Sequence, residues 1–117
     1  MSSEWIQVAD LSQIRQDRTR LCEVGQQKVA LYNLGGKIYA TDDICTHGQA
    51  SLADGYIEGD EIVCPLHDGR FCIPTGKATG APCTVDIKTY SVKVVEGAIM
   101  LKRTEFSDAV GLTGAKA

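Results

Sequence analysis

The sequence predicts an all-β domain, and three observations predict it. Short segments rich in β-branched or alternating apolar residues recur at close intervals. Glycine-containing turns separate them, drawn from 12 glycines. No stretch carries the 3.6-residue apolar period of a long helix.

The elements follow in order. Trp5 to Ala9 alternates and reads as a first strand. Leu11 to Gln16 suits a single helical turn. Thr19 to Val24 and Lys28 to Leu34 are strands, and Lys37 to Thr41 returns after Gly35-Gly36, a pair that accepts the positive φ of a two-residue hairpin turn. From Asp42 the texture becomes polar and small. A hairpin from Gly55 to Val63 turns at Gly59-Asp60. Arg70 to Ile73 is a short strand closed by Pro74-Thr75-Gly76, and Gly80-Ala81-Pro82 reads as a loop. Val85 to Val95 and Ala98 to Lys102 make a last hairpin around Glu96-Gly97. One domain over residues 1–103 and a loosely ordered tail over 104–117 are expected. Residues 42–84 are too long for an unstructured loop and mark the functional region.

Composition narrows the function. A chain of 117 residues with 44% apolar and 23% charged residues is an ordinary globular domain. It lacks the run of roughly 20 apolar residues that a membrane helix needs. Twelve basic against fifteen acidic residues give a net charge of −3. No block of like charge suggests nucleic acid. Met1 to Trp5 shows no secretory pattern, so a cytoplasmic location is expected. The five cysteines are an odd number, which suits metal or redox chemistry better than a disulfide framework.

Both histidines of the chain sit within three residues of a cysteine. The pattern is Cys45-Thr46-His47, sixteen residues, then Cys64-Pro65-Leu66-His67. Each short loop offers a thiolate first and an imidazole after it. Two Cys and two His suit one zinc ion or a two-iron cluster. Zinc fingers commonly pair Cys with Cys and His with His, whereas each loop here mixes the types. One residue between Cys45 and His47 is tight for chelating a single tetrahedral ion. With two irons, Cys45 and Cys64 bind one and His47 and His67 reach the other. That is the ligand set of Rieske [2Fe–2S] centres.

Cys45-Thr46-His47-Gly48 with Cys64-Pro65-Leu66-His67-Asp68-Gly69 resembles a Rieske iron–sulfur domain. The run Arg70-Phe71, Thr75-Gly76-Lys77-Ala78 and Ala81-Pro82-Cys83 is similar to the small Rieske ferredoxins of bacterial aromatic-ring-hydroxylating dioxygenase systems. The resemblance spans about residues 4–103. It implies three antiparallel sheets, with a cluster-binding subdomain over about 42–84 at one tip and Pro82 stiffening a loop that covers the cluster. It implies one [2Fe–2S] cluster per chain and single-electron transfer from an NAD(P)H-dependent flavin reductase to a terminal oxygenase of aromatic hydrocarbon catabolism. A monomeric carrier is expected, not an enzyme: both histidines serve the cluster and leave none for a catalytic iron. Two other readings stand beside it, a small Rieske subunit of a larger enzyme such as nitrite reductase and a zinc-stabilised interaction module.

The remaining features have plainer readings. Cys22, Cys72 and Cys83 read as small buried hydrophobes or idle thiols. Trp5 reads as a core anchor, and Thr46 and Gln49 as residues that shape their loop. Amides of Gly48, Gln49, Leu66, Asp68 and Gly69 are candidate donors to the sulfides.

Imidazoles in place of two thiolates make a cluster less negative and easier to reduce. High-potential Rieske proteins carry a disulfide between the ligand loops, but the matching positions here are Ala50 and Leu66. Where those proteins place Ser and Tyr hydroxyls, this chain has Arg70 and Phe71 or Cys72. Each missing donor lowers the potential. A redox titration at neutral pH is therefore expected to give a midpoint near the bottom of the Rieske window, about −150 mV. The midpoint should fall further at alkaline pH, as exposed histidine ligands lose protons. A clearly positive neutral midpoint, or one flat with pH, contradicts this reading.

Overall fold

The computed structural model describes residues 4–46, 48–66, 68–81 and 85–106. Eleven strands form three antiparallel sheets among them. β1 (Trp5–Asp10), β11 (Ala98–Lys102) and β10 (Val92–Val95) make the first sheet, in that order. β2 (Arg18–Val24), β3 (Gln27–Leu34), β4 (Lys37–Asp42) and β9 (Thr89–Tyr90) make the second. β5 (Tyr56–Glu58), β6 (Glu61–Val63), β7 (Arg70–Cys72) and β8 (Ala78–Gly80) make the third. No helix among the described residues is long and apolar enough to cross a membrane. The helical turn expected after β1 is a 3-10 turn at Leu11–Gln13, capped by Asp10.

β3 explains why two cores exist. It is buried on both faces, so its sequence reads as a nearly continuous apolar run. Side chains alternate across a strand. Val29 and Leu31 point into a first core with Ile99, Leu101, Tyr90 and Phe106. Ala30 and Tyr32 point into a second core with Leu52, Ile62, Phe71, Ile73, Ile87, Cys45 and Cys64. One strand is thus the wall between the supporting sheets and the region that carries both cysteines. Cys22 lies in the first core, where burial pushes its thiol up to about 11, consistent with a small buried hydrophobe. Trp5 is half-buried on β1, with Lys93 Nζ 4.9 Å from its ring centre.

The structure departs from the sequence reading in three places. The stretch Val85 to Val95 is not one strand. β9 pairs with β4, β10 pairs with β11, and Ser91 between them changes sheet. Its amide and hydroxyl each lie 2.7 Å from the Glu105 carboxylate, which takes the place of a ladder partner. The second departure is β8, where the sequence reading has no strand and places Gly80 in a loop. Gly76, at φ +78°, turns the chain back so that β8 can pair with β7. A Cβ there would lie 2.2 Å from the Ile87 carbonyl oxygen.

The third concerns the end of the domain. Arg103–Glu105 form a 3-10 turn and Phe106 is fully buried, stacked on Tyr90 with ring centres 4.5 Å apart. The packed body therefore reaches Phe106, past the boundary expected at residue 103. The rest of the expected tail, 107–117, lies outside the described residues. Phe106→Ala should lower stability by about 3 kcal/mol, from lost burial and the cavity left behind. Urea unfolding checks this, and an unchanged midpoint would show that the turn adds nothing to the core.

Candidate metal centre

Two loops carry the sulfur ligands expected from the sequence, and they close in the same way. The Cys45 amide donates to the Ala50 carbonyl at 2.9 Å. The Cys64 amide donates to the Gly69 carbonyl at 2.7 Å. Each loop is thus tied between its cysteine and the fifth residue beyond it. The first follows β4 and an isolated bridge between Ile44 and Ser51. The second joins β6 to β7, and Asp68 takes the left-handed φ of +59° that Asp tolerates better than bulkier residues.

The loops meet. Cys45 and Cys64 belong to the same buried cluster and are 3% and 0% exposed. The Cys45 side chain acts on the Cys64 thiol and helps to push its pKa up. Gly48 of the first loop faces Leu66 of the second so closely that a Cβ on Gly48 would lie 2.5 Å from Leu66 Cδ2. The Leu66 amide points at Cys64 Sγ from 3.4 Å. The Gly48 amide donates to the Cys45 carbonyl at 3.3 Å.

A wall of buried side chains supports the pair. Tyr32 is fully buried, and both cysteines act on it electrostatically. The Thr41 hydroxyl donates to the Asp42 carbonyl at 2.8 Å, so the Tyr32 hydroxyl is the donor in its own 2.8 Å contact with Thr41. Burial holds the Tyr32 hydroxyl well above its usual pKa. Thr46 lies between the expected ligands, and its hydroxyl donates to the Val85 carbonyl at 2.8 Å. That bond ties the first loop to the segment after residue 84, so Thr46 shapes the loop.

The sulfurs suit a metal group better than free thiolates. Burial pushes the Cys64 thiol up to about 11; the Leu66 amide opposes the rise and Cys45 adds to it. At neutral pH the metal-free thiol keeps its proton, and metal binding must release it. A buried thiolate pair without cations would be costly. Two facing sulfurs with an amide on one of them fit the cysteine half of a [2Fe–2S] ligand set. His47 and His67, the expected nitrogen half, lie outside the described residues, as do Pro82 and Cys83. Cys72 is a half-buried free thiol on β7.

Sequence reasoning missed Asp43. It is fully buried beside the first loop, and it lacks the Cys or His signature that drew attention to its neighbours. A lone acidic residue at the end of a strand gives no signal in the sequence.

Residues 4–91 match the family described as the Rieske [2Fe-2S] domain. A Ralstonia sp protein described as the ferredoxin component of naphthalene 1,2-dioxygenase/salicylate 5-hydroxylase systems is 49% identical over 102 residues, covering 87% of this chain and 98% of its own. A chain in the solved complex of reduced oxygenase and oxidized ferredoxin in carbazole 1,9a-dioxygenase superposes with a TM-score of 0.79 at 38% identity, over 86% of this chain and 94% of that one. A Mycobacterium tuberculosis chain assigned as an NADH-dependent nitrite reductase small subunit superposes with a TM-score of 0.75 at 20% identity, over 85% of this chain and 94% of that one, a likeness of fold alone. The two facing loops, the three sheets and the match over most of the chain lead to one conclusion: this chain belongs to the Rieske [2Fe–2S] domain family.

Proposed function

We propose that the chain is a Rieske ferredoxin that carries single electrons from an NAD(P)H-dependent flavin reductase to a terminal aromatic-ring-hydroxylating dioxygenase. Its ligands are Cys45, His47, Cys64 and His67. The observation that carries this reading is the meeting of Cys45 and Cys64 in one buried cluster, each at the start of a closed loop. When bound, the cluster takes up one electron and gives it back.

The residues around it do the rest. Cys45 and Cys64 bury their sulfurs against Tyr32 and Phe71, which exclude water. The Leu66 amide draws negative charge off the Cys64 sulfur. Ile44, 38% exposed, precedes the first ligand, and Val85, 62% exposed, is tied to that loop through Thr46. They offer an apolar contact beside the ligand loops. Docking there is small and brief, since a carrier must let go to turn over. We place the chain in the cytoplasm as a free monomer. Support for a ferredoxin over a nitrite-reductase-type subunit comes from sequence identity: the ferredoxin relative is 49% identical, while the nitrite reductase likeness extends to the fold alone.

Stopped-flow mixing with NADH and a flavin reductase of a ring-hydroxylating system should reduce the protein, and a terminal oxygenase should reoxidise it. Val85→Glu should slow the second-order rates roughly tenfold while the midpoint potential stays at the parent value, because it alters docking and not the cluster. If neither protein exchanges electrons with the carrier faster than a nonphysiological reductant does, the proposed role is wrong.

A further inference from the structure

We propose that Asp43 is the positioning residue of the first ligand loop, its carboxylate tying the far end of that loop back to the residue that precedes it and so holding Cys45 in place. This rests on the assignment of Cys45 as a ligand.

Asp43 follows β4 directly and is fully buried. Its amide donates to the Lys28 carbonyl at 3.1 Å, and its carbonyl accepts from the Leu52 amide at 2.7 Å. One carboxylate oxygen, Oδ1, accepts twice from the far side of the loop. The Ser51 hydroxyl lies 2.8 Å away and the Ala53 amide 2.9 Å away. The other oxygen, Oδ2, has no hydrogen-bond partner among the described residues.

The geometry has a clear logic. Leu52–Asp54 form a 3-10 turn, and Ser51 stands at its N-cap. A serine there ordinarily accepts a bond from an amide of the first turn. Ser51 accepts no such bond; its hydroxyl donates to Asp43. Asp43 supplies the missing acceptor to the Ala53 amide from across the loop. The same turn is held from the other side, where the Thr19 hydroxyl donates to the Ala53 carbonyl at 2.7 Å. The far end of the loop from Ile44 to Ser51 is therefore tied by one buried side chain to the residue just before its near end, and Cys45 is the second residue inside it. Among the described residues the second loop shows no such carboxylate, and it is held directly between the paired strands β6 and β7.

The role depends on an acceptor oxygen, which separates it from a charge effect. The test compares Asp43→Ala, Asp43→Asn and Ser51→Ala in the cluster-loaded protein. Cluster release into excess EDTA is followed by visible absorbance and visible circular dichroism. Hydrogen exchange is read over residues 44–53. Asp43→Ala should release the cluster about tenfold faster and exchange faster over that segment, as expected for loss of two hydrogen bonds to one buried acceptor. Asp43→Asn should stay close to the parent in both readouts, since its amide oxygen accepts from the same donors. Ser51→Ala, which loses one donor, should fall between them, and it carries the comparison with Asp43→Asn if Asp43→Ala does not fold. Release at the parent rate in Asp43→Ala, or Asp43→Asn and Ser51→Ala as fast as each other, overturns the tie. A parent that takes up no iron while the exchange contrast persists overturns the ligand assignment, and with it the positioning role.

Discussion

Two sulfurs meeting in an apolar interior is the constraint on which the rest of this molecule depends. Cys45 and Cys64 are almost wholly removed from water. As thiols they are tolerable there, behaving as small hydrophobes. As thiolates they need cations beside them, because the interior does not solvate charge. The site therefore has two settled states, protonated or metal-bound. The second is what a redox group of two irons supplies. Neutral imidazoles opposite the thiolates would leave that group less negative than four thiolates would, which is the chemical basis of Rieske potentials.

The fold serves this pair by giving it a wall. β3 presents one set of alternate residues to the supporting sheets and the other to the sulfur-bearing region. The third sheet can then be small, with strands of three residues, because its apolar faces are covered by Tyr32, Leu52 and Ile87 and not by its own area. The aromatic stack of Tyr90 and Phe106 holds the chain where it crosses from the second sheet to the first. The two cysteine loops are then held by their own closing hydrogen bonds, by the contact of Gly48 with Leu66 and, in the first loop, by the bonds that Asp43 accepts.

Much of this was legible in the sequence, for reasons that differ by element. The hairpin at Gly35-Gly36 was readable because both residues take positive φ, and glycine does so at little cost. The meeting of Cys45 and Cys64 was readable because mixed Cys–His loops are rare chemistry at a fixed spacing. The change of sheet at Ser91 was not readable. Its cause is a carboxylate fourteen residues downstream, and local periodicity carries no trace of such a partner. Phe106 fell within the expected tail over 104–117 because its partner, Tyr90, is distant in the chain. Asp43 was invisible for the same reason: its value lies in what reaches it from residues 51 and 53.

Electron paramagnetic resonance of the dithionite-reduced protein tests the central claim most directly. Mixed nitrogen and sulfur ligation lowers the average g-value relative to an all-cysteine two-iron cluster. The account predicts such a lowered average, with nitrogen hyperfine coupling that disappears when His47 and His67 are both replaced. An average typical of four thiolates, or no signal from a protein reconstituted with iron and sulfide, would contradict it.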